Sequence, residues 1–586
     1  MKKSPLLNFD TVPTRITKYF RIRNTRKYFA AIKGVKQIKN SNFVEKKALC
    51  IQLALATFGI SILPTITVRP ALGAERLNFS YGLLEESIPI KSLDTYAKTG
   101  KVDEDLATYT NSINKKQLTR LRKVLVTPIS LNATEISQFL YTPIGERLLT
   151  NLGKVIQTES HLSGFYAIRA ALILAAATEP KDFTLLDVLE KFPAPSISIN
   201  LARSLEIADT LQDLVNQTQE AVALINQQSQ QQATTVSTNK VAPLINLRQP
   251  GSFTWQKQTI TLNDVSRSRT FPADIYLPKT QKPCPIIVIS HGLGSDRNSF
   301  AYLAEHLASY GFVVAVPEHP GSNSQQLQAL LSGTADRVTN PREFVDRPLD
   351  VKYLLDELTR LSQSNPAFRG HLNLDQVGVV GQSYGGYTAL ALAGAKINFS
   401  QLEKDCPAPE DTLNISLFFQ CLAIGLPQAQ YNLSDSRVKA IIAINPVDSQ
   451  IFGQDSLSQI KIPVMIVSGS NDTVAPALPE QIKPFTWLTT PNKYLALING
   501  GTHFSTIAES SNAVVPVPTQ VIGSSPALAR SYVEALSVPF FKTYAAQQPS
   551  YLSYLSADYT KTISQKPLPL SLIKSLNNQQ LQQAFK

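Results

Sequence analysis

The residue with the clearest chemical potential is Ser383, which lies in the sequence Gly-Gln-Ser-Tyr-Gly-Gly at residues 381–386. A short β-branched run at residues 377–380 precedes this sequence, and a helix-forming stretch follows it. Glycines on both sides of the serine let a strand turn sharply into a helix, because they have no Cβ where the backbones approach. The pattern predicts a nucleophile elbow that presents the Ser383 hydroxyl at the tip of a turn.

An acidic residue and then a histidine follow the serine along the chain, in the order serine, aspartate, histidine. Asp472 comes after a buried-strand pattern at residues 462–469, and His503 comes after another at residues 493–498. A serine hydroxyl needs an imidazole to accept its proton, and the imidazole needs a carboxylate to fix its tautomer. Because the carboxyl ends of parallel strands converge at one edge of a sheet, we expect Ser383, Asp472 and His503 to meet there as a catalytic triad.

With these motifs in view, residues 251–546 resemble an α/β hydrolase of the platelet-activating factor acetylhydrolase and dienelactone hydrolase type. The resemblance rests on Ser-His-Gly-Leu-Gly at residues 290–294, the serine motif, and Gly-Thr-His-Phe at residues 501–504. Residues 75–217, with Arg-Leu-Asn-Phe-Ser-Tyr-Gly near their start, resemble a helical module of unknown function that precedes such hydrolases in cyanobacteria. The resemblance implies a mostly parallel sheet flanked by helices, preceded by an α-helical domain, and a serine hydrolase mechanism.

The histidine turn after residues 285–290 lies where this fold supplies part of an oxyanion hole. The backbone amides of Leu293 and Tyr384 are the expected donors. We interpret His291 as a residue that orients the loop rather than as a second base. The histidines have no spacing typical of metal ligands, so neither a metal nor another cofactor is expected.

The identity of the acid is the point at which the sequence departs from one branch of the family. In the animal acetylhydrolases the acid follows the strand after the nucleophile helix, and here that strand, residues 438–444, is followed by Asn445. Asp448 lies three residues later and is the alternative acid. We prefer Asp472, because it lies at the carboxyl end of a strand, as in dienelactone hydrolases.

The basic residues of the chain are concentrated at its start. Residues 1–47 carry +11 of the formal net charge of +12, so the body has almost no net charge and a nucleic-acid partner is not expected. An apolar run at residues 48–68 and a small-residue sequence ending at Ala74 follow. We predict a signal peptide at residues 1–74 and export to the periplasm, a lumen or the exterior, with an uncleaved membrane anchor as the alternative.

The four cysteines fit an exported protein. Cys406 and Cys421 lie in one insertion and are expected to form a disulfide in an oxidising compartment. Cys284 would then be a free, buried thiol with a structural role.

The apolar patterns divide the chain into segments. After the leader we predict an α-helical domain at residues 75–217, a flexible linker rich in Gln, Ser and Thr at residues 218–250, the hydrolase at residues 251–546 and a tail at residues 547–586. The hydrolase should begin with an antiparallel strand pair and continue with parallel strands. An insertion at residues 397–437 is interpreted as a lid, with a surface excursion tied by its cysteines as the alternative. The predicted strands are residues 252–262, 270–277, 285–290, 312–316, 377–380, 438–444, 464–467 and 494–498.

Three functions are compatible with these features. The favoured function is a serine esterase or lipase that cleaves apolar or lipid-like esters of short to medium acyl chains through an acyl-enzyme. A serine peptidase is the alternative, since the serine motif also resembles the prolyl oligopeptidase family, although that family usually carries a β-propeller rather than a helical partner domain. A non-catalytic binding protein on a hydrolase fold is the third function.

Overall fold

The computed structural model describes residues 73–81, 84–110, 115–178, 182–236, 245–406, 414–510, 513 and 519–586. The predicted leader at residues 1–74 lies outside these ranges except for its last two residues. Within the described ranges, no helix has the length and apolar character that a bilayer crossing requires.

An N-terminal module, residues 73–200, combines a small sheet with helices. Its strands pair in the order β2-β1-β4-β3, and they are β1 (Arg76–Tyr81), β2 (Leu84–Pro89), β3 (Ile156–Thr158) and β4 (Ser196–Asn200). Its helices are α1 (Ile90–Thr99), α2 (Glu104–Thr110), α3 (Lys115–Val126), α4 (Ala133–Leu140), α5 (Pro143–Val155), α6 (Phe165–Ala176) and α7 (Leu185–Glu190).

The helices of this module agree with the predicted α-helical domain, and its small sheet is an addition that the prediction did not include. Its strands are only three to six residues long, and runs this short give little periodicity. Strand β1 nevertheless shows the alternation of apolar and polar residues that is typical of a strand. Leu77 and Phe79 pack against the apolar core of the module, whereas the Asn78 side chain donates a hydrogen bond to Ser196.

A 36-residue helix, α8 (Leu201–Val236), leads from the module toward the large domain. It replaces most of the predicted flexible linker at residues 218–250, of which residues 237–244 lie outside the described ranges. Ala221 and Ile225 of this helix are fully buried in the main core. Asn226 exchanges hydrogen bonds with Asn499, so residues that are polar enough for a linker are ordered by tertiary contacts.

The large domain, residues 245–586, is built on a nine-stranded sheet with the order β13-β12-β11-β10-β9-β7-β8-β6-β5. Strands β7 to β12 run parallel, whereas β5, β6 and β13 join by antiparallel pairing. The antiparallel opening pair and the six parallel strands confirm the predicted fold class. The strands are β5 (Trp255–Asp264), β6 (Arg269–Pro278), β7 (Cys284–Ser290), β8 (Val313–Pro317), β9 (Leu372–Gln382), β10 (Val438–Ile444), β11 (Val464–Gly469), β12 (Lys493–Ile498) and β13 (Leu570–Ile573).

Helices cover both faces of this sheet, and the sheet separates two apolar cores. They are α9 (Ala301–Ser309), α10 (Ser324–Leu331), α11 (Glu343–Ser364), α12 (Tyr384–Leu392), α13 (Phe399–Asp405), α14 (Ile415–Gln420), α15 (Ser449–Leu457), α16 (Lys483–Trp487), α17 (Thr519–Ile522), α18 (Pro526–Tyr544), α19 (Ala557–Ile563) and α20 (Asn578–Ala584). A π-helical turn at Leu478–Ile482 precedes α16, and 3-10 turns lie at Val265–Arg267, Arg297–Phe300, Pro320–Ser322, Cys421–Gly425 and Pro549–Tyr554.

The C-terminal segment at residues 547–586 is part of the fold and not a tail. Its strand β13 is buried along its whole length and pairs with β12 at the sheet edge. Leu572 also receives support from α8, because its backbone amide donates to Ser229 Oγ over 3.1 Å. The domain boundary that was predicted at residue 546 is therefore too early.

The insertion at residues 397–437 packs over the start of the nucleophile helix. The ring of Phe419 meets the ring of Tyr384 edge-on at 4.7 Å between centroids. Cys406 and Cys421 form the predicted disulfide, and Cys284 is free and buried. Arg147 of the N-terminal module donates to the Cys406 carbonyl at 3.2 Å, so the module braces the insertion. The function of the insertion as a lid stays a prediction.

Replacing both Cys406 and Cys421 by Ser should lower the free energy of unfolding by about 3 kcal/mol, because the bond closes a loop of 15 residues in the unfolded chain. Urea unfolding of the double variant and the wild type measures the difference. Added reductant should move the wild-type midpoint to that of the variant and leave the variant unchanged. Identical midpoints without reductant would contradict a stabilising cross-link.

Candidate active site

The turn at Ser383 joins β9 to α12 with a strained backbone. Ser383 has φ 55° and ψ −115°, a conformation that is rare for a residue with a side chain. A Cβ at Gly381 would lie 1.8 Å from the Gly385 carbonyl oxygen, and a Cβ at Gly385 would lie 1.9 Å from the Ser290 carbonyl oxygen. Only glycine fits at either position, so the predicted elbow forms as its sequence indicates.

Asp472 and His503 are joined by a hydrogen bond of 2.7 Å between Oδ2 and Nδ1. The other carboxylate oxygen accepts the backbone amides of Val474 and Ala475, at 2.8 and 2.7 Å. Because an ionised carboxylate only accepts hydrogen bonds, Nδ1 carries the imidazole proton and Nε2 is left as an acceptor. This is the tautomer that a general base for a serine hydroxyl requires.

The loop that carries His503 is tied directly to the elbow. The side-chain amide of Gln382, the residue before the serine, donates to the His503 carbonyl at 3.1 Å. Ser383 itself is held by its backbone amide, which donates to the Ile444 carbonyl at 2.8 Å. The structure thus brings the ends of β9, β11 and β12, with their serine, aspartate and histidine, to one edge of the sheet.

Asn445 is a positioning residue that sequence reasoning had considered only as a missing acid. Its amide nitrogen donates to the carbonyls of Thr502 and His503, at 3.2 and 3.4 Å, and its oxygen accepts the Gly469 amide at 2.9 Å. It therefore braces the histidine loop against the strand that precedes Asp472. Asn445 has a positive φ of 42°, a conformation that asparagine tolerates better than most residues, but no motif in the sequence marks this role.

Asp448, the alternative acid, is not placed against the imidazole. Its side chain is fully buried, and neither carboxyl oxygen has a hydrogen-bond partner among the described residues. Burial and the neighbouring Glu480 carboxylate raise the pKa of Asp448 well above its ordinary value. Glu480 accepts hydrogen bonds from Asn414 and Gln420 of the insertion, so this acidic pair belongs to the base of the insertion.

The loop after β7 presents the Leu293 amide in an orientation that His291 fixes. His291 Nε2 accepts the His319 backbone amide at 3.1 Å, so its Nδ1 carries the proton and donates to the Gly292 carbonyl at 2.8 Å. That carbonyl and the Leu293 amide belong to one planar peptide group. Burial and the Arg347 charge lower the pKa of His291 to about 3, so the ring is neutral at physiological pH. The geometry agrees with an orienting role.

Tyr384 is the first residue of α12, where a backbone amide has no partner within its own helix. Within the described part of the chain, neither its amide nor that of Leu293 donates a hydrogen bond to another group. Both amides therefore remain available to an oxyanion, and their role as its donors stays a prediction.

Arg347 lies beneath this arrangement and was missed by the sequence reasoning. Its guanidinium is fully buried and donates to the His291 carbonyl, to Ser322 Oγ at 2.8 Å and to Ser290 Oγ at 3.3 Å. It also stacks 4.5 Å from the centroid of the Tyr384 ring. Burial lowers the pKa of Arg347 to about 10, so it stays charged at neutral pH. One cation thus supports both residues that flank the oxyanion site.

A second chain of Asp, His and Ser lies deeper in the domain. Asp350 Oδ2 meets His319 Nδ1 at 2.9 Å, and His319 Nε2 meets Ser290 Oγ at 3.0 Å. All three side chains are fully buried, so no substrate reaches this serine. Arg269 binds Asp350 at 2.7 Å and completes a buried polar network that supports the loop after β7.

Two family models match separate parts of the chain. Residues 73–200 match the alpha/beta hydrolase of unknown function (DUF1400), and residues 251–344 match platelet-activating factor acetylhydrolase, isoform II. The second match contains the loop of His291 and Leu293 and ends before Ser383.

Two curated relatives are platelet-activating factor acetylhydrolases. That of Cavia porcellus is 27% identical over 140 residues, which cover 19% of this chain and 32% of the relative. That of Canis lupus familiaris is 27% identical over 155 residues, which cover 21% of this chain and 35% of the relative. The chain thus spans about a third of the length of these relatives. The two family matches, the strand order of the sheet and the serine elbow together show an α/β hydrolase fold, and part of this chain is similar to platelet-activating factor acetylhydrolases.

Proposed function

We propose that the protein is a serine hydrolase that cleaves carboxylic esters through an acyl-enzyme. The observation that carries the proposal is the 2.7 Å bond between Asp472 and His503 at the same sheet edge as the strained Ser383 turn. The similarity of part of the chain to platelet-activating factor acetylhydrolases supports an ester as the substrate.

The proposed mechanism uses two nucleophilic steps. Ser383 Oγ attacks the ester carbonyl while His503 Nε2 accepts the hydroxyl proton, and Asp472 stabilises the resulting imidazolium. The amides of Leu293 and Tyr384 stabilise the oxyanion of the tetrahedral intermediate. His503 then protonates the departing alcohol. A water molecule, deprotonated by the same imidazole, attacks the acyl-enzyme and releases the acid.

The proposed substrate is a small or lipid-like ester with an apolar acyl or alcohol part. The curated relatives are named as acetylhydrolases of platelet-activating factor, and their likeness to this chain supports an ester substrate of a related class. We also propose that the protein acts outside the cytoplasm. The disulfide between Cys406 and Cys421 supports this location, because such bonds persist in oxidising compartments.

The wild type should hydrolyse p-nitrophenyl esters of short and medium acyl chains, and Ser383→Ala should reduce kcat at least about 10⁴-fold, because it removes the attacking oxygen. Turnover of the ester series and of a peptide amide panel is the measurement, with labelling by a fluorophosphonate probe alongside. Ser553→Ala, on a surface turn, is the control and should behave as the wild type. Efficient amide cleavage without ester turnover would favour a peptidase, and labelling of the Ser383→Ala variant would refute the nucleophile.

Asp472→Asn should reduce kcat by about 10⁴-fold, because an amide cannot hold His503 in the working tautomer. Asp448→Asn is the matched control, because it makes the same replacement of a carboxyl oxygen by an amide nitrogen in a residue that does not contact the imidazole. It should keep kcat within a few-fold of the wild type. Greater damage from Asp448→Asn would move the acid to that position.

Asp448→Asn should stabilise the protein relative to the wild type as the pH rises. The pKa of Asp448 is raised in the folded state, so stability is complete below the ordinary value of 3.8 and is lost as the pH rises toward the folded-state pKa. That loss is about 1.4 kcal/mol per pH unit within this window, and the Asn variant avoids it. In thermal unfolding from pH 4 to pH 9, the Tm of the Asn variant should exceed that of the wild type by an amount that increases with pH. A constant Tm difference would show that Asp448 does not titrate abnormally.

A further inference from the structure

A groove of about 520 Å³ runs between α8 and the loop that carries Asp472. The α8 wall presents Ile207, Leu211, Leu214 and Val215, which share one face of the helix at spacings of four, seven and eight residues. Leu211 and Val215 are 38% and 46% exposed, so a substantial part of each residue remains open to an occupant of the groove. The volume falls within the range of small-molecule sites.

The chemistry of the lining favours an apolar occupant. Thr210 and Thr218, also on the α8 wall, donate their hydroxyls to carbonyls of their own helix, at 2.9 and 2.6 Å. Among the described lining residues, Asp472 is the one with a formal charge, and its oxygens are occupied by His503 and by backbone amides. The remaining polar lining residues are Gln219, Asn414, Ser470, Asn471 and Thr473, so the apolar surface of the groove is mainly its α8 wall. An alkyl chain lying along that wall buries apolar surface and needs no hydrogen-bond partners.

The position of the groove links it to the reaction. Asp472 both lines the groove and holds His503, so an occupant lies next to the proposed triad. We propose that the groove binds the alkyl chain of a lipid-like ester. One wall of this site comes from α8, which is not part of the hydrolase sheet or of the loops that carry the proposed triad. This inference rests on the proposed esterase function and assigns part of its substrate site to the helix that follows the N-terminal module.

The test compares p-nitrophenyl esters from two to twelve acyl carbons. In the wild type, kcat/KM should rise about two- to fourfold per methylene until the groove is filled. The double variant Leu211→Gln and Val215→Gln should lower the ratio of kcat/KM for the ten-carbon ester to that for the two-carbon ester by about tenfold. Leu205→Gln is the control, because Leu205 is 52% exposed on the same helix and does not line the groove.

A second measurement does not depend on turnover. In the Ser383→Ala background, dansyl-labelled undecanoic acid should bind with a Kd at least fivefold weaker when Leu211→Gln and Val215→Gln are added. The single variant Leu211→Gln, whose side chain is already partly exposed, should weaken binding in the same direction but less. It keeps the test valid if the double variant fails to fold.

The outcomes separate the two proposals. Ester turnover with an unchanged chain-length ratio and an unchanged Kd in the double variant would overturn the groove and leave the esterase standing. Probe binding that weakens in the double variant, with no ester turnover by the wild type, would overturn the esterase and keep the groove as a site for an apolar chain.

Discussion

Steric contact between backbones at the elbow sets the geometry of the rest of the site. Gly381 and Gly385 let β9, α12 and the end of β7 approach more closely than any Cβ permits. That approach places the Ser383 turn directly beside the loop of His291. Close backbone packing therefore fixes the position of the nucleophile relative to the oxyanion loop, and hydrogen bonds add to the precision of that arrangement.

The buried cation below the elbow is the main electrostatic cost of this design. Within the described residues Arg347 makes no ion pair, although burying an unpaired charge is costly. A carbonyl, three hydroxyls and the face of the Tyr384 ring offset that cost. Because these partners belong to β7, the turn after β8 and α12, the charge is satisfied only when all three are in place. Its burial therefore helps to specify a single arrangement of the site.

Sequence reasoning captured features that are encoded locally. The core strands are continuous apolar runs, and the glycines around Ser383 mark the sharp turn, so the parallel strands and the elbow could be predicted from the pattern. The triad of Ser383, Asp472 and His503 stays a prediction. Prediction failed where tertiary contacts override local preference. Residues 218–236 resemble a linker in composition, yet they form a helix because Asn226 and Ser229 find hydrogen-bond partners on β13, at Ser571 and Leu572. Asn445 and Arg347 carry no motif, since their roles exist only after folding.

The pairing of α8 with β13 has a consequence for biosynthesis. Ser229 and Leu572 are 343 residues apart, and synthesis of that stretch takes roughly 20 to 70 s at usual rates. During this interval Ser229 lacks its partner on β13, and the edge of β12, once synthesised, is unpaired. Completion of the sheet therefore waits until β13 has left the ribosome, and a nascent chain that stops short of β13 keeps an open sheet edge exposed to aggregation.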